Sequence, residues 1–71
     1  MQRVYGSREL EEMAKEKGWK FVRQVGSHRQ FRRDGVPLIL TIPAGRKDIP
    51  IGTCRQIIKV INGEARLPGR K

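Results

Sequence analysis

Seventy-one residues, 37% of them hydrophobic, make one domain with a modest core and little stability to spare. Sixteen Lys and Arg against seven Asp and Glu give a net charge of +9, which points to a polyanionic partner: nucleic acid, an anionic membrane or an acidic protein. No apolar run approaches the roughly 20 residues that span a bilayer, and a single cysteine with a single histidine excludes an internal disulfide and any zinc site of known spacing.

Residues 1–6 are a short lead-in without an apolar signal region. Ser7 has the character of a helix N-cap, and Glu9, Glu11 and Glu12 crowd the first turns, where the helix dipole favours them. Leu10, Met13, Ala14 and Lys17 recur at helical spacing, and Gly18 suits the position just past the end. The first helix is expected over 7–17. From Trp19 the period changes to two: Phe21, Arg23 and Val25 alternate with Lys20, Val22 and Gln24 in a strand over 19–25. Gly26-Ser27 makes a corner. A second strand over 28–33 puts Arg29, Phe31 and Arg33 on one side and His28, Gln30 and Arg32 on the other.

Asp34-Gly35 is the strongest hairpin signal in the chain. A third strand is expected over 36–42, with the Pro37 end at an edge or outside the ladder because proline has no N–H to donate. A polar loop runs from Pro43 to Pro50. Cys54, Ile57, Ile58 and Ile61 then form the apolar stripe of a second helix over 51–61, which Asn62-Gly63 ends. The fold class is α+β, in the order α-β-β-β-α: a three-stranded antiparallel sheet with two helices on one face. Phe21, Phe31, Leu38 and Leu40 are expected to meet Leu10, Met13, Ile57, Ile58 and Ile61 in the core. The domain is expected to occupy 1–63, followed by a polar tail over 64–71.

His28 is the strongest candidate for chemistry. A lone histidine is ordinarily an unimportant surface residue. This one opens a strand just after a Gly-Ser corner, with Arg23, Arg29 and Arg32 near in sequence or across the hairpin. RNA cleavage needs a proton taken from the 2′-hydroxyl and one given to the leaving 5′-oxygen. An imidazole, with an ordinary pKa of about 6.5, serves either role near neutral pH. Residues 19–33 contain no acidic side chain, whereas an ordinary solvated surface mixes both signs. Arg23, Arg29, Arg32, Arg46 and Lys47 are therefore candidate phosphate ligands. Ser27 is a candidate to position His28 or a phosphate, and Gly52-Thr53 either adds backbone N–H groups to a phosphate site or simply starts a helix. Trp19, Phe21 and Phe31 fit core packing better than base stacking. Cys54 fits a buried hydrophobe better than a nucleophile.

These residues together resemble the HicA toxin family of HicA–HicB toxin–antitoxin systems, from about Ser7 to Ile61. The resemblance is carried by Gly18-Trp19, by Arg23 to Phe31 with its Gly-Ser-His corner, by Ile42-Pro43, by Gly45-Arg46-Lys47-Asp48-Ile49 and by Ile51-Gly52-Thr53. It implies a double-stranded-RNA-binding-domain-like fold and a metal-independent mRNA endoribonuclease that inhibits translation, with the catalytic histidine at His28. It implies mRNA as substrate and a HicB-like antitoxin as partner, whose acidic patch would suit the +9 charge. No cofactor and no membrane association are expected, and the free protein is expected to be a cytoplasmic monomer. A non-catalytic binder of double-stranded RNA is the alternative, since folds of this type often bind RNA by shape.

Overall fold

A computed structural model describes residues 4–63 of the chain; the expected tail over 64–71 lies outside the described residues. The elements follow in the order α1 (Ser7–Glu16), β1 (Lys20–Val25), β2 (His28–Arg32), β3 (Leu40–Pro43) and α2 (Ile51–Ile61). The three strands form one antiparallel sheet in the order β1-β2-β3. Fold class and element order are those the apolar periodicity predicts.

Helix α1 buries Leu10 and Ala14 and packs Met13 against the core. It stops where the sequence places a glycine. Gly18 adopts φ 96°, its N–H reaches the carbonyl of Lys15, and the N–H of Trp19 reaches that of Ala14. That pair of bonds is a Schellman motif, which glycine favours because it enters the left-handed region without a Cβ penalty. The chain then turns inward, and Trp19 is buried with its indole N–H donating to the carbonyl of Ile61 at 3.0 Å. One side chain thus ties the end of α1 to the end of α2.

The N-terminus of α1 departs from expectation. Gly6 is the N-cap residue, and its backbone N–H donates to Glu9 Oε1 at 3.1 Å. Ser7 lies inside the helix and serves a longer-range purpose. Its hydroxyl donates to the carbonyl of Pro43 and accepts the N–H of Arg46 at 2.9 Å, and its own N–H reaches the Arg46 carbonyl at 2.8 Å. The β3–α2 loop is thereby fastened to the helix. A Cβ on Gly6 would stand 2.4 Å from the Lys47 carbonyl oxygen, so the approach admits only glycine without rearrangement.

Phe31, Leu40 and Ile42 supply the sheet's share of the core, and Leu10, Ala14, Ile57, Ile61, Ile49 and Cys54 cover them. The Cys54 thiol is buried and faces the Ile49 carbonyl at 3.2 Å, as a small core residue does. Two expected core residues stand elsewhere. Phe21 lies edge-on to Phe31, with centroids 5.7 Å apart, yet remains 45% exposed. The helices pack over β3 and against each other, which leaves β1 an open edge whose six residues are all exposed. Leu38 is only half-buried and outside the core, because β3 begins at Leu40 and not at Val36. The Asp34-Gly35 turn does form, with the Val36 N–H on the Arg33 carbonyl and Gly35 at φ 82°. The strand resumes only beyond Pro37, which cannot donate to a ladder.

Candidate functional site

The β1–β2 hairpin closes through two residues, with Val25 opposite His28. Gly26 takes φ 59° while Ser27 keeps a negative φ, the arrangement of hairpins that place glycine first in the turn. Ser27 is exposed, and its carbonyl accepts the Ala44 N–H at 2.7 Å, which ties the corner to the end of β3. His28 follows at once. The β2–β3 register runs without interruption through His28–Pro43, Arg29–Ile42, Gln30–Thr41 and Phe31–Leu40. Since Phe31 is buried beneath the helices, the two-residue period sends His28, Gln30 and Arg32 to the open side of the sheet. His28 is exposed, and its imidazole has no hydrogen bond or ion pair with any described residue.

Arg23 joins this side through an irregularity that simple alternation does not anticipate. Phe21 pairs with Phe31 but Arg23 pairs with Gln30, so Val22 is the extra residue of a β-bulge. Without it, Arg23 would share the helix side with Phe21. With it, Arg23 faces the open side and its Nε donates to Gln30 Oε1 at 3.1 Å. Bulges re-aim side chains in this way. Arg23 is a diagonal neighbour of His28, at roughly 7–8 Å by strand geometry. Arg32 lies four residues along the same strand, about 13 Å away. A cleft on this open side is walled by Val22, Arg23, Gln30, Arg32 and Ile39; His28 stands outside it, toward the hairpin end. None of the three strands contains an acidic residue.

Arg29 belongs to the opposite side. Its Nη1 donates to Gln24 Oε1 at 3.0 Å, and its guanidinium stacks on the Phe21 ring at 4.2 Å. Its Nε lies 2.9 Å from Glu11 Oε2 on α1, a contact that is an ion pair and not a well-aligned hydrogen bond. Arg46 and Lys47 are exposed on the β3–α2 loop. Thr53 is exposed in the first turn of α2, where neighbouring Gly52 shares a separate cleft with Arg55, Gln56, Ile58 and Lys59. Of the predicted residues, the fold brings His28, Arg23 and Arg32 onto one surface, with Gly26 and Ser27 at its corner. Gln30, which orients Arg23, was not anticipated; its place beside His28 in the two-residue period was the available signal. Among the described residues no group of three or more His, Cys, Asp or Glu is gathered as a metal site, and no helix is long and apolar enough to cross a membrane.

The fold is thus a basic α+β domain that presents one histidine on a sheet whose strands carry no carboxylate. The family model described as HicA toxin of bacterial toxin-antitoxin matches residues 7–62. The chain belongs to the HicA toxin family, and so is the toxin component of a toxin–antitoxin system with an antitoxin as its partner. No curated protein sequence matches it significantly.

Proposed function

We propose that this toxin is a metal-independent endoribonuclease acting on mRNA, with His28 as its general acid or base. The observation that carries the proposal is an exposed imidazole, without a partner among the described residues, on a sheet surface that holds arginines and no carboxylate. The 2′-hydroxyl oxygen attacks phosphorus while the bond to the 5′-oxygen breaks, leaving a cyclic phosphate. The attacking hydroxyl loses a proton and the leaving oxygen gains one; His28 serves one of these transfers. Arg23, the nearer cation, offsets charge on the non-bridging oxygens, and Arg32 takes a phosphate further along the strand. Gly26 and Ser27 aim the imidazole. Arg46, Lys47 and Thr53 contribute phosphate contacts outside this surface. A HicB-like antitoxin covers the His28 surface and stops cleavage.

The test is cleavage of a defined single-stranded RNA in EDTA by the unaltered protein and by His28→Ala, with circular dichroism as the check on folding. Cleavage by the unaltered protein alone is expected, with a cyclic phosphate or its hydrolysis product at the new 3′ end. Continued cleavage by His28→Ala would overturn the assignment of the histidine. RNA bound but left whole by both proteins would mean a non-catalytic RNA-binding module.

A further inference from the structure

We propose that the cleft between the first turn of α1 and the β3–α2 loop is a second phosphate site. It takes an RNA backbone phosphate on the helix side of the sheet, around the hairpin end from His28. The proposal rests on RNA being the substrate. The cleft, of about 360 Å³, brings Arg8, Arg29 and Arg46 together with Gln24 and the backbone of Gly45. Glu11 is the one carboxylate lining it, and that group is already engaged by Arg29. Neither Arg8 nor Arg46 has an ion pair or side-chain hydrogen bond with any described residue, and both are exposed. Three arginines thus line one open space with a single, occupied counter-charge.

The site is also built in advance. Arg29 is held from three directions by Glu11, Gln24 and the Phe21 ring. A guanidinium has five N–H donors, and these contacts leave several for an anion. The opposing wall is locked to α1 through both polar groups of Ser7, and Gly45 turns it at φ 68°. Arg29 and the loop wall need no further ordering when an anion arrives; only the Arg8 and Arg46 side chains remain to be fixed.

Position connects the cleft to the chemistry. Ala44, at its rim, donates to the Ser27 carbonyl, and Pro43 pairs with His28 itself. Gln24 reaches back to the Gly26 carbonyl at 2.9 Å. The cleft and His28 therefore flank one hairpin end, one on each side of the sheet. An RNA strand with its scissile phosphate at His28 passes over Gly26-Ser27 and sets a neighbouring phosphate among the three arginines. A phosphodiester is favoured over an acidic protein segment because Ala44 is the only apolar residue in the lining. Protein interfaces bury apolar anchors at their centres. The cleft on the open side of the sheet, with Val22 and Ile39 in its lining, offers such anchors, and this one does not.

The test uses the full chain carrying His28→Ala, which binds without cutting, and a fluorescent single-stranded RNA of ten nucleotides. Affinity is measured by anisotropy over a range of salt concentrations, with and without the added pair Arg8→Ala and Arg46→Ala. The added pair is expected to weaken binding roughly tenfold or more and to flatten the plot of log affinity against log salt by about 1.4, for two lost phosphate contacts. The melting temperature should hold, since neither side chain has a partner to lose among the described residues. Unchanged affinity and slope, with losses only for Arg23→Ala and Arg32→Ala, would overturn the second site and leave the RNA substrate standing. Weakened antitoxin binding with RNA affinity intact would reassign the cleft to the protein partner. No RNA affinity in any of these proteins would overturn both the site and the proposed substrate.

Discussion

Neighbouring residues on a strand act on opposite sides of a sheet, so His28 and Arg29 have different work to do. Arg29 joins β2 to α1 through Glu11 and shields the exposed Phe21 ring. Truncating it removes a partly exposed ion pair, a hydrogen bond to a charged group and a cation–π contact. Arg29→Ala should therefore lower stability by about 1–2 kcal/mol, seen as a lower urea midpoint at constant slope. Arg23, exposed and bonded only to Gln30, belongs to the other side. Arg23→Ala should change stability by less than about 0.5 kcal/mol, as surface substitutions usually do, while weakening RNA binding. Gly26 has open space around it, so an added methyl meets no atom. Its φ of 59° still strains any other residue. Gly26→Ala should cost about 1–2 kcal/mol by chemical denaturation and slow cleavage as the corner misaims His28.

At the scale of elements, the approach of α1 to the β3–α2 loop is the feature most open to test. If Ser7 were merely a cap, replacing it with glycine would cost only a few tenths of a kcal/mol. Ser7 instead satisfies groups on Pro43 and Arg46, 36 and 39 residues away in the chain. Ser7→Gly and Ser7→Ala should each cost about 1–3 kcal/mol, because two polar groups lose a buried partner. A loss for Ser7→Gly at least as large as that for Ser7→Ala in thermal melts would establish the tertiary role, since a cap residue would lose less as glycine. The same loop forms one wall of the arginine cleft, so both variants should also weaken RNA binding. The bulge at Val22 works at this scale too. It moves one strand by one residue, and that shift carries Arg23 from the helix side to the side of His28.

For the whole molecule the decisive quantity is how thin the core is. Among the described residues ten hydrophobic ones are buried, and Phe31 is among the largest of those fully enclosed. Phe31→Ala should cost about 3–5 kcal/mol, a large share of the roughly 5–15 kcal/mol that holds a typical domain together. The variant should be largely unfolded near 37 °C, with the near-ultraviolet dichroism lost. The +9 charge acts over the same scale, drawing RNA or an acidic antitoxin toward the molecule at low salt and less so at high salt.

Much of this architecture is written in short-range signals. Helical spacing places α2 over its observed span, and Gly18, Gly26 and Asn62-Gly63 stop or turn the chain where expected, since glycine chemistry depends on one residue's own backbone. The two-residue period also turns His28 away from the core, because β2 keeps an unbroken register. What the sequence left open depends on packing between distant segments. Val22 is an ordinary strand former, and only pairing with β2 makes it a bulge that re-aims Arg23. Phe21 is as apolar as Phe31, and only the seating of the helices over β3 leaves it exposed. Arg8, Arg29 and Arg46 are spread across the chain, and they meet because Ser7 and Gly6 allow the first helix to close on the loop. Local signals determined the elements, the side of the sheet on which the histidine stands and the place of Arg32 beside it; tertiary packing alone decided that Arg23 joins them and that Arg29 meets Arg8 and Arg46, because those depend on contacts no local pattern encodes.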